Sequence, residues 1–250
     1  MGVNRISMGV QSFDEGILRW MGRRHSSEDI PKAVSLIREA GFRNLSIDLI
    51  FGISGLDDRV WKNTLSKAVS LSPEHISAYQ LSVEEGSLLD EKVSKGEYVE
   101  ADELRCRLQY GILCDTLSEA GYEHYEVSNF SAPGKRAIHN SAYWKRVPYV
   151  GLGPGAHSLC GERLRKWNSD SFPEYHSSEE TLSDEEIREE KIMLSLRTSD
   201  GIPSKDLLMM SDPKMVRILL ESGSLVMKGD RVCIPEERFF TSDDIIRTLL

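Results

Sequence analysis

Between Arg5 and Val83, three apolar runs rich in branched side chains alternate with segments of helical periodicity, and this alternation constrains the fold more than any other feature of the chain. The runs at Arg5–Val10, 45–51 and His75–Val83 read as strands. From Ser27 onward, Ile30, Val34, Ile37 and Ala40 recur about one helical turn apart. Glu28, Asp29 and Pro31 suit the start of that helix and Gly41 its end. Asp57 and Asp58 open a second helix, with Val60, Trp61, Leu65 and Val69 on one face, and Pro73 closes the crossover. A shorter helix near Ile17–Met21 has Asp14 as its cap. Strand–helix–strand–helix–strand predicts a parallel sheet with both crossover helices on one face. Three parallel strands are too few to close a barrel and normally need cover on both faces, so the segment reads as the later part of a larger α/β domain.

The chain has 250 residues and a net charge of −9, which argues against a dominant nucleic-acid or anionic-membrane surface. It contains no run of 18 apolar residues, so no transmembrane helix is expected, and the segment Met1–Arg5 lacks the apolar stretch of a signal peptide. Cys106, Cys114, Cys160 and Cys233 are scattered, with no CxxC or CxxxC pair, and read as reduced thiols of a cytoplasmic protein rather than a metal site or disulfide framework.

Residues 91–175 form a second region. Ala101–Ala120 reads as an amphipathic helix with Leu104, Leu108, Ile112 and Leu117 on its stripe and Gly121 at its end, followed by a strand at Tyr122–Val127. Then comes a long aromatic loop, SNFSAPGKRAIHNSAYWKRVPYVGLGPGAHS, of the kind that in compact domains is usually functional or mobile. Residues 176–183 are the best linker. Residues 184–250 read helix, short helix, helix, hairpin, helix, with Lys228-Gly229-Asp230 turning the hairpin, an order that resembles a winged helix. With 14 acidic and 10 basic residues, a net of −4, this segment reads as a packing module rather than a DNA reader.

GLGPGA at Gly151–Ala156 matches a dinucleotide-binding pattern, but Pro148 and Pro154 break the strand–loop–helix context it needs. No HExxH and no GxSxG is present. What remains is a set of polar residues at strand ends, where open α/β sheets and barrels bind ligands: Gln11 after the first strand, Asp48 inside the second, and Ser82 and Glu84 after the third. Asp48 lies in the apolar run NLSIDLIFG, where a carboxylate needs a partner. It reads either as a ligand of a bound group or as a structural ion pair or cap, with Arg23 as the candidate partner.

A resemblance bears on that choice. GVNRISMGVQSF, DLIFGISG, PEHISAYQLSVEEGS, GYEHYEVSNFSAPG, HNSAYW and YVGLGPGAHS, in this order, resemble the radical S-adenosylmethionine family of oxygen-independent coproporphyrinogen III oxidases, and within it the heme chaperone branch. The likeness covers nearly the whole chain. It implies the C-terminal half of a partial (β/α)6 barrel (1–90), an α+β extension (91–175) and a small winged-helix-like domain (184–250). It also implies S-adenosylmethionine held beside a 4Fe–4S cluster, with Gln11, Arg23 and Asp48 as cofactor-binding residues, Arg23 suiting the methionine carboxylate. The CxxxCxxC motif that holds the family's cluster is absent from these residues, so the chain by itself is expected to hold no cluster and to cleave no cofactor.

Within the family, two functions compete: binding heme and handing it to an acceptor protein, and oxidative decarboxylation of coproporphyrinogen. HNSAYW favours the first, with His139 as heme-iron ligand and Tyr143 and Trp144 as ring cover. A non-catalytic interaction protein is a further alternative. The open edge at Arg5–Val10 predicts self-association.

Overall fold

The computed structural model describes residues 2–250, so Met1, the first residue of the expected barrel segment, lies outside it. The chain forms two units, Met1–Arg136 and Ala137–Leu250. The first runs β1 (Ile6–Gln11), α1 (Glu15–Trp20), α2 (Asp29–Glu39), β2 (Leu45–Phe51), α3 (Asp58–Ser70), β3 (His75–Gln80), α4 (Leu88–Ser94), α5 (Glu103–Glu119), β4 (Glu123–Glu126) and β5 (Asn129–Ser131). Its five strands form one sheet in the order β1-β2-β3-β5-β4, the first three parallel and the last two an antiparallel hairpin.

Local chemistry sets the boundaries. The Asp14 carboxylate accepts the Ile17 amide at 2.9 Å, closing the first turn of α1, and Asp57 accepts the Arg59 amide at 2.7 Å at the start of α3. Gly41, at φ 90°, turns the chain out of α2 in a conformation that only glycine adopts readily. Leu45, Ile47, Leu49 and Phe51 alternate along β2 and are at most 2% exposed. This face meets α3 and α5: the Phe51 ring lies 6.1 Å from that of Trp61 and 5.9 Å from that of Tyr110. Each such side chain contributes about 1.5–3 kcal/mol by leaving water.

Two expectations need correction here. The buried face of α5 is Cys106, Gln109, Tyr110, Leu113 and Leu117, whereas Leu104 and Leu108 of the expected stripe are 68% and 52% exposed. The cause is Gln109. Its amide oxygen accepts the Gly52 amide at 2.7 Å, its amide nitrogen donates to the Leu56 carbonyl at 3.1 Å, and the Trp61 indole donates to its backbone carbonyl at 2.9 Å. A buried, fully engaged glutamine fixes the rotation of the helix and turns two leucines outward. Second, residues 91–136 belong with the first sheet, because β5 pairs with β3, so the expected 91–175 region is divided at 136/137.

The second unit begins with α6 (Ile138–Trp144) and continues through β6 (His157–Cys160), β7 (Leu164–Asn168) and β8 (Ser177–Thr181), an antiparallel sheet in that order. The expected linker is therefore a strand: Ser177–Thr181 pairs along its length with Leu164–Asn168, and the Lys166 ammonium meets Glu179 at 2.8 Å. Next come α7 (Asp184–Leu196), opened by a Ser183/Glu186 capping box, then β9 (Ile202–Pro203), α8 (Ser204–Met210), α9 (Pro213–Glu221), β10 (Val226–Lys228), β11 (Arg231–Cys233), a 3-10 helix at Glu236–Thr241 and α10 (Ser242–Leu249). Strands β10, β11 and β9 make a three-stranded sheet, completing the winged-helix-like order. No helix among the described residues is long and apolar enough to cross a membrane.

Candidate functional site

The strand register explains the misplaced carboxylate of β2. Because side chains alternate between faces, the run of apolar residues toward α3 and α5 leaves a second face. That face carries two rows spanning all five strands: Ser7–Ser46–His75–Ser131–Glu123, and Gly9–Asp48–Ser77–Asn129–Glu126. Every side chain in both rows is polar, and Ser46, His75, Ser77, Ser131, Asn129 and Glu126 are all buried. On the opposite face, the row Met8–Ile47–Ile76–Phe130–His124 is apolar apart from His124, which stacks on Phe130 at 4.1 Å.

Buried polar groups need partners, and those of this face largely find them within it. The His75 ring is hydrogen-bonded to the Ser46 hydroxyl and to the Tyr125 hydroxyl, each at 2.8 Å. Burial, with the positive charge of Arg5 nearby, pushes the His75 pKa down to about 3, so the ring is neutral at physiological pH. The Asn129 amide donates to the Glu126 carboxylate. Asp48 accepts the Ser7 hydroxyl at 3.2 and 3.3 Å and that of Ser77 across the next strand; burial raises its carboxyl pKa, while these hydroxyls and Arg5 pull it back. The partners of Asp48 are thus hydroxyls of the adjacent strands, and the structural ion pair with Arg23 is not formed.

Gln11 sits where β1 leaves the sheet. A bulge interrupts the register between Gly9 and Gln11, and Gln11 adopts φ 66°, a left-handed conformation that costs a non-glycine residue on the order of 1–2 kcal/mol. Its side chain folds back over Gly9, the register partner of Asp48. The Gln11 amide nitrogen lies 2.8 Å from where a Gly9 Cβ would be, so a side chain at position 9 would displace the end of the Gln11 side chain.

Arg23 is placed at the C-terminal end of the same sheet. It lines a cavity of about 490 Å³ together with Trp20, Ile50, Leu81, Leu88 and Lys92. Ile50 follows Asp48 by two residues and shares its face. Trp20 is held against Tyr98, ring centroids 5.2 Å apart, and Tyr98 accepts the Ser54 amide at 3.0 Å. An aromatic wall, an aliphatic lining and charges of both signs, Arg23, Lys92 and Lys95 beside Glu91 and Glu97, suit an amphipathic ligand that carries both an anionic and a cationic group. Ser82 and Glu84, past the end of β3, are bonded to each other at 2.8 Å.

In the second unit HNSAYW, with Ile138 before it, forms the seven-residue helix α6 rather than part of a loop. Helical spacing sets His139 and Tyr143 on one face: the Tyr143 hydroxyl and His139 Nε2 are 3.0 Å apart, their rings 4.9 Å. Tyr149 meets Tyr143 edge-on at 4.7 Å. His139 and Tyr143 are exposed, and so are Ile138, Val147, Val150 and Leu152 in the same stretch. Trp144 is not brought to this pair. It follows Asn140 by one turn on the adjoining face, and its indole nitrogen is buried with no hydrogen-bond partner. Among the described residues no cluster of three His, Cys, Asp or Glu side chains is placed to hold a metal ion.

Sequence reasoning missed the polar rows beyond Asp48. Their signal was the alternation in HISAY and EVSNFS, where His75, Ser77, Asn129 and Ser131 fall on one parity.

The model of the Radical SAM superfamily matches residues 1–68. The chain is 32% identical over 245 residues to the heme chaperone HemW of Synechocystis sp., covering 92% of this chain and 58% of that protein. It is 31% identical over 259 residues to the heme chaperone HemW of Mycobacterium tuberculosis, covering 100% of this chain and 66% of that one. It thus spans about three-fifths of the length of these relatives. Among solved structures, coproporphyrinogen III oxidase (HemN) from Escherichia coli, a radical SAM enzyme, superposes with a TM-score of 0.74 at 19% identity over 99% of this chain and 64% of the other, a likeness of fold.

Proposed function

Since the chain belongs to the radical SAM superfamily, among its HemW-like members, we propose that it serves in heme trafficking in the cytoplasm: it binds heme and hands it to an acceptor protein. The exposed His139–Tyr143 pair on α6 is the observation that carries this reading. Ferric or ferrous heme requires an axial donor and flat apolar cover. His139 supplies the imidazole, and Tyr143, with Tyr149 edge-on beside it, supplies aromatic surface. Ligation through Nε2 displaces the Tyr143 hydroxyl and frees its ring to pack on the porphyrin. Exposure suits a carrier: a ligand seated at a surface is released to a partner more readily than one enclosed.

In the complete protein, S-adenosylmethionine and a 4Fe–4S cluster are the superfamily's cofactors, and Gln11, Arg23 and Asp48 are the residues of this chain proposed to hold the former. The donor set fits that molecule. A guanidinium beside the cavity suits its carboxylate, Trp20 and Ile50 its base, and the acceptor-rich Asp48 row its ammonium or hydroxyls. We also propose self-association through β1, the edge strand of its sheet; light scattering that finds only a 28.2 kDa species contradicts it.

Hemin titration tests the function. A Soret shift is expected on binding, and His139→Ala is expected to reduce it more than the same change at His25, His75, His124, His157 or His176. If the shift follows His157 instead, the GPGAHS segment carries the ligand; if it follows no histidine, the heme reading fails.

A further inference from the structure

The C-terminus of α6 is built in an unusual way. The Val147 amide donates to the Ala142 carbonyl at 2.9 Å and the Arg146 amide to that of Tyr143 at 3.0 Å, the bond pattern of a Schellman cap. The residue after the cap then adopts a left-handed backbone, and glycine is the favoured occupant. Here it is Arg146, at φ 50°. An arginine in that conformation is strained by its Cβ, so its side chain must return something.

The side chain is 7% exposed, and its guanidinium is committed to the neighbouring helix. Nε donates to Glu190 of α7 at 2.9 Å, and Nη2 lies 2.8 Å from the same carboxylate and donates to the Glu162 carbonyl at 3.0 Å. Glu190, itself 14% exposed, is also held by Arg165, which reaches Glu180 of β8 at 3.3 Å. Two cations converge on one largely buried carboxylate, so loss of Glu190 leaves the buried Arg146 guanidinium without its carboxylate partner, whereas loss of Arg146 leaves Glu190 held by Arg165 alone. The segment pinned by this cluster is the last turn of α6, three residues beyond Tyr143 and seven beyond His139.

We propose that Arg146, through Glu190, is a positioning residue for the His139–Tyr143 face. It trades a strained cap for an ionic clamp that fixes the orientation of α6, a helix too short to hold itself in water. The proposal rests on the heme reading for its functional meaning, but the clamp is testable without heme.

Arg146→Gly relieves the backbone and removes the clamp; Glu190→Gln keeps the backbone and weakens the clamp. Hydrogen exchange of the unliganded protein should show faster exchange across 138–147 in both variants, with Arg146→Lys intermediate. Unchanged protection of α6 in Glu190→Gln overturns the proposal. Hemin titration then reads the coupling. Arg146→Gly should weaken binding by about tenfold, as supporting partners of a metal ligand commonly do, and should add nothing in a His139→Ala background. Equal losses in both backgrounds overturn the positioning role. If α6 loosens as expected but hemin binding never depended on His139, the clamp stands and the assignment of His139 falls.

Discussion

The sheet of the first unit and helix α6 of the second display polar chemistry in opposite settings. In the sheet, Asp48, Ser77 and His75 sit in rows that cross five strands, are largely buried, and are held by neighbours far apart in sequence. In α6, His139 and Tyr143 are four residues apart, exposed, and bonded mainly to each other. The first setting is over-determined by tertiary structure; the second is a local pair on a mount fixed from outside by Arg146. Changes in the rows, Asp48 excepted, should therefore register first as stability, and changes on α6 first as ligand binding.

Acidification should separate the two most strongly. Burial lowers the pKa of His75 to about 3 and that of His124 to about 4, so both are neutral when folded. Between about pH 6.5 and those values the unfolded chain binds more protons than the folded one, and stability falls with pH by up to about 1.4 kcal/mol per unit for each histidine. The raised Asp48 pKa acts in the opposite sense, since folding there favours the protonated carboxyl. The net expectation is that the sheet unit loses stability from about pH 6.5 toward pH 4. Urea denaturation across that range, followed by hydrogen exchange in β2 and β3, measures it; a flat profile breaks the contrast.

Next in size is His75→Ala. It removes the partner of the buried Ser46 hydroxyl and a ring packed 5.7 Å from Tyr125, and should cost about 2–4 kcal/mol. His139→Ala, an exposed change, should stay within about 0.5 kcal/mol. Comparable losses would erase the distinction between the regions.

Asp48→Ala sharpens it from within the sheet. As the one row member assigned to a ligand, it should leave the denaturation midpoint nearly unchanged, because its burial is already unfavourable to the carboxylate. It should weaken S-adenosylmethionine binding in the complete protein by about 1.5–3 kcal/mol, the worth of a charge-assisted bond. Unfolding without loss of cofactor affinity assigns Asp48 to the scaffold. The smallest effect belongs to Tyr143→Phe. It deletes the hydroxyl that competes for His139 Nε2 and keeps the ring, so hemin should bind more tightly, by about 1 kcal/mol or less.

Much of this was legible in the residues, for identifiable reasons. The three parallel strands announce themselves through branched apolar runs, and the run at 45–51 coincides with β2. Asp48 stood out because it breaks an apolar run. What stayed hidden depends on pairing across distance. Ser177–Thr181 looks like a linker by composition and is a strand because Leu164–Asn168 lies beside it. The face of α5 was misassigned because counting leucines cannot reveal that Gln109 bonds Gly52 and Leu56. Helix α6 was invisible as a helix: it is seven residues long, starts after Ala137 with no side-chain cap, and ends on a strained arginine instead of glycine.

The central claim, that His139 is the heme ligand of this chain, is tested most directly by changing the donor atom. Electron paramagnetic resonance of the hemin-loaded ferric protein should change from an imidazole to a thiolate signature in His139→Cys, while His157→Cys should leave the spectrum as in the unaltered chain. An unchanged spectrum in His139→Cys, or a thiolate signature from His157→Cys, contradicts it.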